Sequence, residues 1–325
     1  MNDNPFFSII IPVFNVAEYL ESCLNSVISQ SFTDFEAILV EDGSTDGSDK
    51  ICDKLSQNDS RIKVIHKENE GVAVARNTGI NKASGNYILF LDSDDKFKPE
   101  ILQNIYNKIS ETNAEIIVFG YERINSSNQI LLVSKPDIDF TKNTLHKKST
   151  DLTFLLWNKA YKKNLFNNIN LKMAEGITFS EDSYITLALQ NQTNNFAFIP
   201  ETGYSYLCRA TSVTQNMNIK NHLDRLKAVT LMDELYKSNK DKPSVLNNIK
   251  FDTKFFYIDP KYDYSKSELL HNFKLWRKTF PESTHCFTNK IANKKIMIYV
   301  KLITFHMDLF ANILFQLNKK NRNKG

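Results

Sequence analysis

A chain of 325 residues, 42% hydrophobic and 24% charged, holds enough apolar material for one large core or two smaller ones, which excludes a disordered chain. Its four cysteines, Cys23, Cys52, Cys208 and Cys286, are too dispersed for a thiolate zinc pattern or a compact disulfide framework and read as reduced, mostly buried thiols. The net charge of +4 is local, because residues 286–325 carry eight Lys or Arg and one Asp, a local +7 that leaves about −3 on the rest by subtraction.

Phe7 to Phe14 is a β-rich run, and the amphipathic segment from about Glu18 to Ser29 places Leu20, Cys23, Leu24, Val27 and Ile28 at helical spacing. Phe35 to Glu41 is the next strand. It ends in Asp42-Gly43-Ser44-Thr45-Asp46-Gly47-Ser48, residues that turn the chain and then cap a helix. Ile62 to His66 is a short strand and Val72 to Ala83 its helix. Tyr87 to Leu91, apolar on both faces as an interior parallel strand is, runs straight into Asp92-Ser93-Asp94-Asp95, and Pro99 opens a further helix. This alternation predicts parallel βαβ units with right-handed crossovers, so Asp42 and Asp92 should end two strands of one sheet on the same edge. Open α/β sheets bind ligands in the crevice at that edge. Hard cations such as Mg²⁺ or Mn²⁺ choose carboxylate oxygens of this kind and often share them with substrate phosphates. Read alone, the acidic triplet equally suits a solvated turn before the helix.

Four blocks now stand in order: Ser8-Ile-Ile-Ile-Pro-Val-Phe-Asn15, Glu41-Asp42-Gly43-Ser44-Thr45-Asp46, Asn69-Glu70-Gly71-Val72-Ala73-Val74-Ala75-Arg76-Asn77 and Leu91-Asp92-Ser93-Asp94-Asp95. Together they closely resemble the successive blocks of glycosyltransferase family 2, strongly over residues 7–121 and more loosely to 214. The resemblance implies a GT-A fold: a Rossmann-like, mostly parallel sheet flanked by helices, in an enzyme that transfers a sugar from a nucleotide diphosphate donor with inversion. It divides residues 1–215 into a nucleotide-sugar part, 1–121, and an acceptor side, 122–215, with a helical accessory region over 216–325. UDP is the expected nucleotide, with Asp42 accepting from the uracil imide and Pro12 and Phe14 walling the base. Arg76 has a planar fork suited to phosphate or base oxygens, and the plainer alternative is a surface ion pair. The resemblance puts Asp92, with Ser93 beside it, on the ribose and Asp94 on a Mn²⁺ or Mg²⁺ ion, with Asp95 as the substitute ligand.

Inverting transfer needs a base for the acceptor hydroxyl, and Glu181-Asp182 is the acidic pair downstream in a suitable setting. The run from Gly176 to Leu189 reads as a short strand, a cap at Ser180 and an amphipathic helix. An anion in the first turn of that helix is favoured by its positive end. The pair resembles the family's Glu-Asp element, which makes Asp182 the base and gives Glu181 an orienting role; without that resemblance it is an ordinary acidic helix start. Trp157-Asn158-Lys159 resembles the block that precedes this element, where an indole can stack on a sugar and an amine can reach phosphate. Trp157 also suits a plain core position. Tyr204, Tyr206, Arg209 and Ser212 look like the strand and loop that close over the diphosphate, or a strand with an aromatic face. Segment 122–150, polar and aperiodic, reads as a variable acceptor loop.

Beyond Gly203 the pattern turns helical, over His222 to Lys237, Ser265 to Phe280 and Ile291 to Leu317. The last stretch is interrupted by Lys294, Lys295, Lys301, His306 and Asp308 and falls short of the roughly 20 apolar residues a span requires. It suits either an interfacial helix on an anionic leaflet or a helix packed on the catalytic domain or on a homodimer partner. No secretory signal is read at the amino terminus, so a cytoplasmic enzyme, held at the inner face of the membrane if that helix is interfacial, is expected. The expected acceptor is a glycan or lipid-linked saccharide of a bacterial surface polysaccharide. A sugar nucleotidyltransferase would want a Gly-rich basic loop where Pro12-Val-Phe-Asn15 stands. A noncatalytic nucleotide-sugar-binding module would not need the intact carboxylates. No nucleic-acid partner is expected, since no known reader motif accompanies the basic tail.

Overall fold

The computed structural model describes residues 4–137, 141, 150–167, 177, 179–209, 219–237, 245–258, 264–283 and 294–322. They belong to two compact units, Met1–Asp224 and Arg225–Gly325.

The first unit is an α/β sheet built in the expected order: β1 (Phe7–Val13), α1 (Ala17–Ile28), β2 (Phe35–Asp42), α2 (Ser48–Asn58), β3 (Ile62–Lys67), α3 (Val72–Lys82) and β4 (Tyr87–Phe90). It continues through β5 (Lys96–Phe97), α4 (Ile101–Thr112), β6 (Ile116–Ile124), β7 (Ile130–Ser134), α5 (Thr150–Phe154), β8 (Lys159–Lys162), α6 (Asn164–Asn167), α7 (Glu181–Gln190) and β9 (Phe196–Leu207). α8 (Ile219–Leu235) spans the point where the units divide. The strands lie in the order β3-β2-β1-β4-β8-β6-β9-β5, with β7 on β6. β1, β2 and β4 are buried along their whole length, as apolar runs must be when helices cover both faces.

β1 pairs in parallel with β2 on one side, Phe7 beside Phe35 through Val13 beside Glu41, and with β4 on the other, Phe7 beside Tyr87 through Ile10 beside Phe90. The chain leaves β1 toward β2 and β3 and returns across β1 to β4, so the strand order reverses between β1 and β4. That reversal is where such sheets open a ligand crevice. At the opposite, amino ends of these strands one buried acid fixes their register: Glu36 accepts from Ser8 Oγ at 2.5 Å, Ser84 N and Oγ at 2.7 Å, and Lys63 Nζ at 2.6 Å. α3 lies close over β1 because Gly79 has no side chain, and a Cβ there would meet Ile10 Cγ2 at 2.4 Å. The close approach matters because α3 carries Arg76.

The other half of the sheet is mixed: β8 runs antiparallel to β4 and β6, β9 parallel to β6, and β5 antiparallel to β9. Segment 122–150 is not the plain loop expected. Its described part includes β7, a strand paired with β6 that leaves Ile130, Leu131, Leu132 and Val133 exposed. Cys23 and Cys52 are free and buried and Cys208 is free and half-buried, while Cys286 lies outside the described residues.

The second unit holds α9 (Val245–Lys254), α10 (Lys266–Lys278), α11 (Lys294–Thr304) and α12 (Asp308–Arg322). Ser265 opens α10 with a reciprocal capping box to Glu268. Phe251, Leu269, Phe273, Trp276, Val300, Ile303, Ala311 and Phe315 form the unit's core. The single helical stretch expected over 291–317 is broken at Phe305–Met307, where His306 takes a left-handed φ of 60° and Met307 N donates to Leu302 O at 2.8 Å. Among the described residues no helix is long and apolar enough to cross a membrane.

Candidate active site

A cavity of about 520 Å³ opens at the carboxyl ends of β1, β2 and β4, bounded also by the start of α7 and by residues at and beyond the end of β9. The strand ends supply Pro12 and Phe14, Asp42, and then Asp92, Ser93 and Asp94; α7 supplies Glu181 and Asp182. Arg76 and Arg209 also line it. Ten of the site residues expected from the sequence, Pro12 to Arg209, therefore share one cavity although 197 positions separate the first from the last.

Asp42 is buried and held on three sides: Lys67 Nζ donates at 2.7 Å, Gly71 N at 2.8 Å and Glu70 N at 3.1 Å. Gly71 makes this loop possible, since its φ of 91° suits no side-chain-bearing residue. A carboxylate offers about four acceptor sites, so three bonds leave one for a ligand in the cavity.

Arg76 is buried, and both its terminal nitrogens are committed: Nη2 donates to Asp92 Oδ1 at 2.8 Å and Nη1 to Glu181 Oε1 at 2.9 Å. Burial works against its charge, but Asp92, Glu181 and Asp182 outweigh that and hold the guanidinium charged more firmly than usual. Neither sequence-based alternative describes it. It is neither on the surface nor offering its fork to phosphate; it staples α3 to the end of β4 and the start of α7. Its Nε is buried without a hydrogen-bond partner among the described residues.

Glu181 and Asp182 share this dry corner. Burial, and then the charge of Asp182, push Glu181 up to about 7 against the pull of Arg76. Burial raises Asp182 as well, again opposed by Arg76. The helix end was expected to favour an ionised Asp182, and desolvation opposes it. Ser180 occupies the cap position, but with a left-handed φ of 68° and no side-chain cap bond. Asp182 Oδ1 instead accepts from Ser183 N at 2.7 Å and Ser183 Oγ at 3.3 Å, so the acid caps its own helix. The short strand expected before it falls largely outside the described residues.

Asp94 and Asp95 are neighbours in different environments. Asp94 faces the cavity and pairs with Arg209, whose guanidinium also lies 4.9 Å from the Tyr19 ring centroid. Burial and then Asp92 raise its carboxyl above the usual range, while Arg209 pulls it down. Asp95 is not a cavity residue. Its Oδ2 accepts from Tyr204 OH at 2.8 Å and its Oδ1 from Leu207 N at 2.7 Å, bracing β9, and it is 1% exposed. Burial, and then Asp94 and Asp92, raise its carboxyl well above the ordinary range. It is not placed to serve as the substitute ligand.

Of Trp157 and Lys159, the first takes its core alternative and the second departs from expectation. Trp157 is core, stacked on Tyr204 at 4.2 Å and edge-on to Tyr121 at 5.0 Å. Tyr206, which lines the cavity together with Phe14 and Phe179, is backed by Trp157 at 5.8 Å. Lys159 is fully buried, and its Nζ donates to Leu152 O at 2.6 Å, Leu155 O at 2.5 Å and Asn158 Oδ1 at 2.7 Å. Its burial drives the ammonium well below its ordinary range, with Asp182 opposing. With three acceptors inside the fold it does not reach a phosphate in the cavity. Asn69, Val72 and Phe179 line the cavity without having been singled out. Asn69 and Val72 stand within a recognised block; nothing in the residue pattern marks Phe179.

For a divalent cation the fit rests on Asp94. Among the described residues no cluster of three or more His, Cys, Asp or Glu is arranged to hold a metal. One cavity carboxylate whose ionisation is disfavoured by burial and by a second carboxylate does suit a cation that takes its remaining ligands from phosphates and water, the usual habit of Mg²⁺.

The sequence profile of glycosyl transferase family 2 matches residues 8–170. The chain belongs to that family. It is similar to the uncharacterized glycosyltransferase EpsJ of Bacillus subtilis, 32% identical over 220 residues that make up 65% of this chain and 63% of EpsJ, under two thirds of that relative's length. It is also similar to the glycosyltransferase GlyG of Streptococcus pneumoniae, 30% identical over 63% of this chain and 72% of GlyG. In fold it resembles residues 1–349 of S. aureus TarS, solved in complex with UDP-GlcNAc, with a TM-score of 0.69 and 16% identity across 97% of this chain and 92% of that one.

Proposed function

We propose that the protein is an inverting, metal-dependent glycosyltransferase that moves a sugar from a UDP-sugar to a glycan or lipid-linked saccharide in bacterial surface-polysaccharide synthesis. One observation carries the reading: Arg76 ties the acid that ends β4, Asp92, to the acid pair that opens α7, so that donor-side and acceptor-side carboxylates face a single cavity. The UDP complex recorded for TarS, a fold neighbour, supports the choice of nucleotide. The bacterial relatives support the setting.

Asp42, at the end of β2, retains one acceptor site for the imide N–H of a uracil, between Pro12 and Phe14. Asp92, oriented by Arg76, offers its second oxygen to the ribose. Asp94 would hold Mg²⁺ or Mn²⁺, which when bound acts as a Lewis acid that offsets charge on the leaving diphosphate. Arg209, at the same carboxylate, supplies a further cation on that side. Asp182 takes the acceptor's proton late, as attack on the anomeric carbon makes the hydroxyl acidic. Glu181, fixed by Arg76, orients the start of α7 and with it Asp182.

The test is a donor screen with Mn²⁺ and with Mg²⁺, scoring hydrolysis and transfer and reading the product's anomeric configuration by NMR. Release of UDP with inverted configuration is expected. Pyrophosphate release from a nucleoside triphosphate would instead identify a nucleotidyltransferase, and retention of configuration would remove Asp182 from the role of base.

A further inference from the structure

The second unit turns an apolar face outward. On α11, α12 and the turn between them, Val300, Ile303, Ala311 and Phe315 point into the core, while Ile298, Phe305, Met307, Leu309, Phe310 and Ile313 are each between 42% and 68% exposed. These are not scattered singletons. Four of them, Phe305, Met307, Leu309 and Phe310, fall within six consecutive positions at the left-handed break around His306. A soluble surface rarely gathers large apolar side chains in this way without a use for them.

The charge around the apex is of one sign. Lys294, Lys295 and Lys301 precede it in the sequence and Lys319, Lys320, Arg322 and Lys324 follow. The single acid in this stretch, Asp308, is already engaged by Arg277, whose Nη1 and Nη2 donate at 2.6 and 3.1 Å. Lys301 and His306, next to the apolar residues, are exposed.

We propose that the α11–α12 apex is a docking surface for an anionic lipid bilayer, with Phe305, Leu309 and Phe310 entering the boundary between headgroups and acyl chains and Lys301 lying over the headgroups. Apolar side chains beside a basic face are how an interfacial helix holds to such a surface. A second copy of the chain is the poorer occupant. A two-fold contact would bring two strongly basic segments together, whereas an anionic leaflet attracts both. The helix break strengthens the case, since it exposes at a tight turn residues that a continuous amphipathic helix would have spread along its length. The proposal stands apart from the reading of the cavity.

Vesicle flotation tests it, using phosphatidylcholine vesicles with and without phosphatidylglycerol and the full chain. Wild type should float with the anionic vesicles and only weakly with the neutral ones, less so as salt rises. The triple variant Phe305→Ser, Leu309→Ser, Phe310→Ser should lose roughly tenfold or more in partitioning. Leu132→Ser, on the exposed face of β7, should leave it unchanged, and Lys301→Glu should weaken binding to anionic vesicles alone. Equal flotation of the triple variant and wild type, failure of wild type to bind anionic vesicles, or a wild-type dimer that the triple variant turns into monomer would each overturn the proposal. UDP titration by calorimetry on the same preparations separates the two readings, because the triple variant should bind UDP as wild type does.

Discussion

At the ends of β1, β2 and β4, polar side chains line the cavity, whereas in β8 and β9 equally buried polar side chains are consumed by the fold. Arg76 and Lys159 make the contrast concrete. Both are buried cations of the first unit, but Arg76 meets two carboxylates and Lys159 meets two backbone carbonyls and an amide oxygen. Asp94 and Asp95 repeat the pattern one residue apart, the first facing the cavity with Arg209 and the second holding β9. Burial alone does not separate a functional polar group from a structural one. What separates them is whether the side chain still presents a face to the cavity.

The largest effect should come from the acid assigned to proton removal. Asp182→Asn is expected to cut transfer by about 10²–10⁴, the usual worth of a positioned base, while UDP affinity measured by calorimetry stays at the wild-type value. Wild-type turnover in that variant would end the assignment. Asp94→Ala should reduce transfer on a similar scale but, unlike Asp182→Asn, weaken donor binding in the presence of Mn²⁺. If Asp95→Asn instead reproduced that loss of donor affinity, the division drawn between the two neighbours would be wrong.

Arg76 should sharpen the contrast through stability. Arg76→Ala leaves the buried Glu181 and the half-buried Asp92 without their shared cation, a change worth about 3–5 kcal/mol in urea unfolding, most of it from Glu181. Arg76→Lys should recover part of this, because one ammonium cannot span both acids with the geometry of the fork. A loss near zero for Arg76→Ala would mean that water, not the guanidinium, satisfies the pair.

The same cluster fixes the sign of the pH response. A base works deprotonated, and burial raises both carboxyls of the pair, Glu181 up to about 7. Transfer measured as kcat/KM should therefore fall on the acid side at a higher pH than an ordinary aspartate would set, approaching about tenfold per unit as the pair takes up protons. Because Arg76 pulls both groups down, Arg76→Lys should move the fall to higher pH if its ammonium sits farther from the acids. A profile flat down to pH 5, about two units below the value for Glu181, would contradict the desolvated setting.

Much of this was legible in the residues, for identifiable reasons. Interior parallel strands must be apolar on both faces, so Phe7 to Phe14, Phe35 to Glu41 and Tyr87 to Leu91 announced themselves, close to the observed Phe7–Val13, Phe35–Asp42 and Tyr87–Phe90, and the acids that end them could lie only at the ligand edge. What stayed hidden depended on distant partners. Asp95 is structural because of Tyr204, 109 positions away, and Arg76 meets Glu181 across 105. Period-2 alternation already placed Tyr206 on the same face as Tyr204, yet only the packing of Trp157 behind it shows which ring reaches the cavity. The break at His306 left no glycine or proline to mark it, and the apolar residues on either side read as one helix.

Lys159 should show the smallest effect on the site and so tests the contrast most severely. Its ammonium is buried without a carboxylate in hydrogen-bond contact, and desolvation already drives it well below its ordinary range, so loss of the charge removes little electrostatic help from the cavity. Lys159→Met keeps most of the aliphatic length but leaves Leu152 O, Leu155 O and Asn158 Oδ1 without this donor, a cost of about 1–3 kcal/mol in unfolding. UDP affinity and the KM for donor should change by less than about twofold, since no cavity group is touched. Arg76→Ala, with a comparable or larger stability loss, should change both. If Lys159→Met weakened UDP binding tenfold at unchanged stability, the amine would have to reach the diphosphate after all, and backbone saturation would no longer distinguish the two cations.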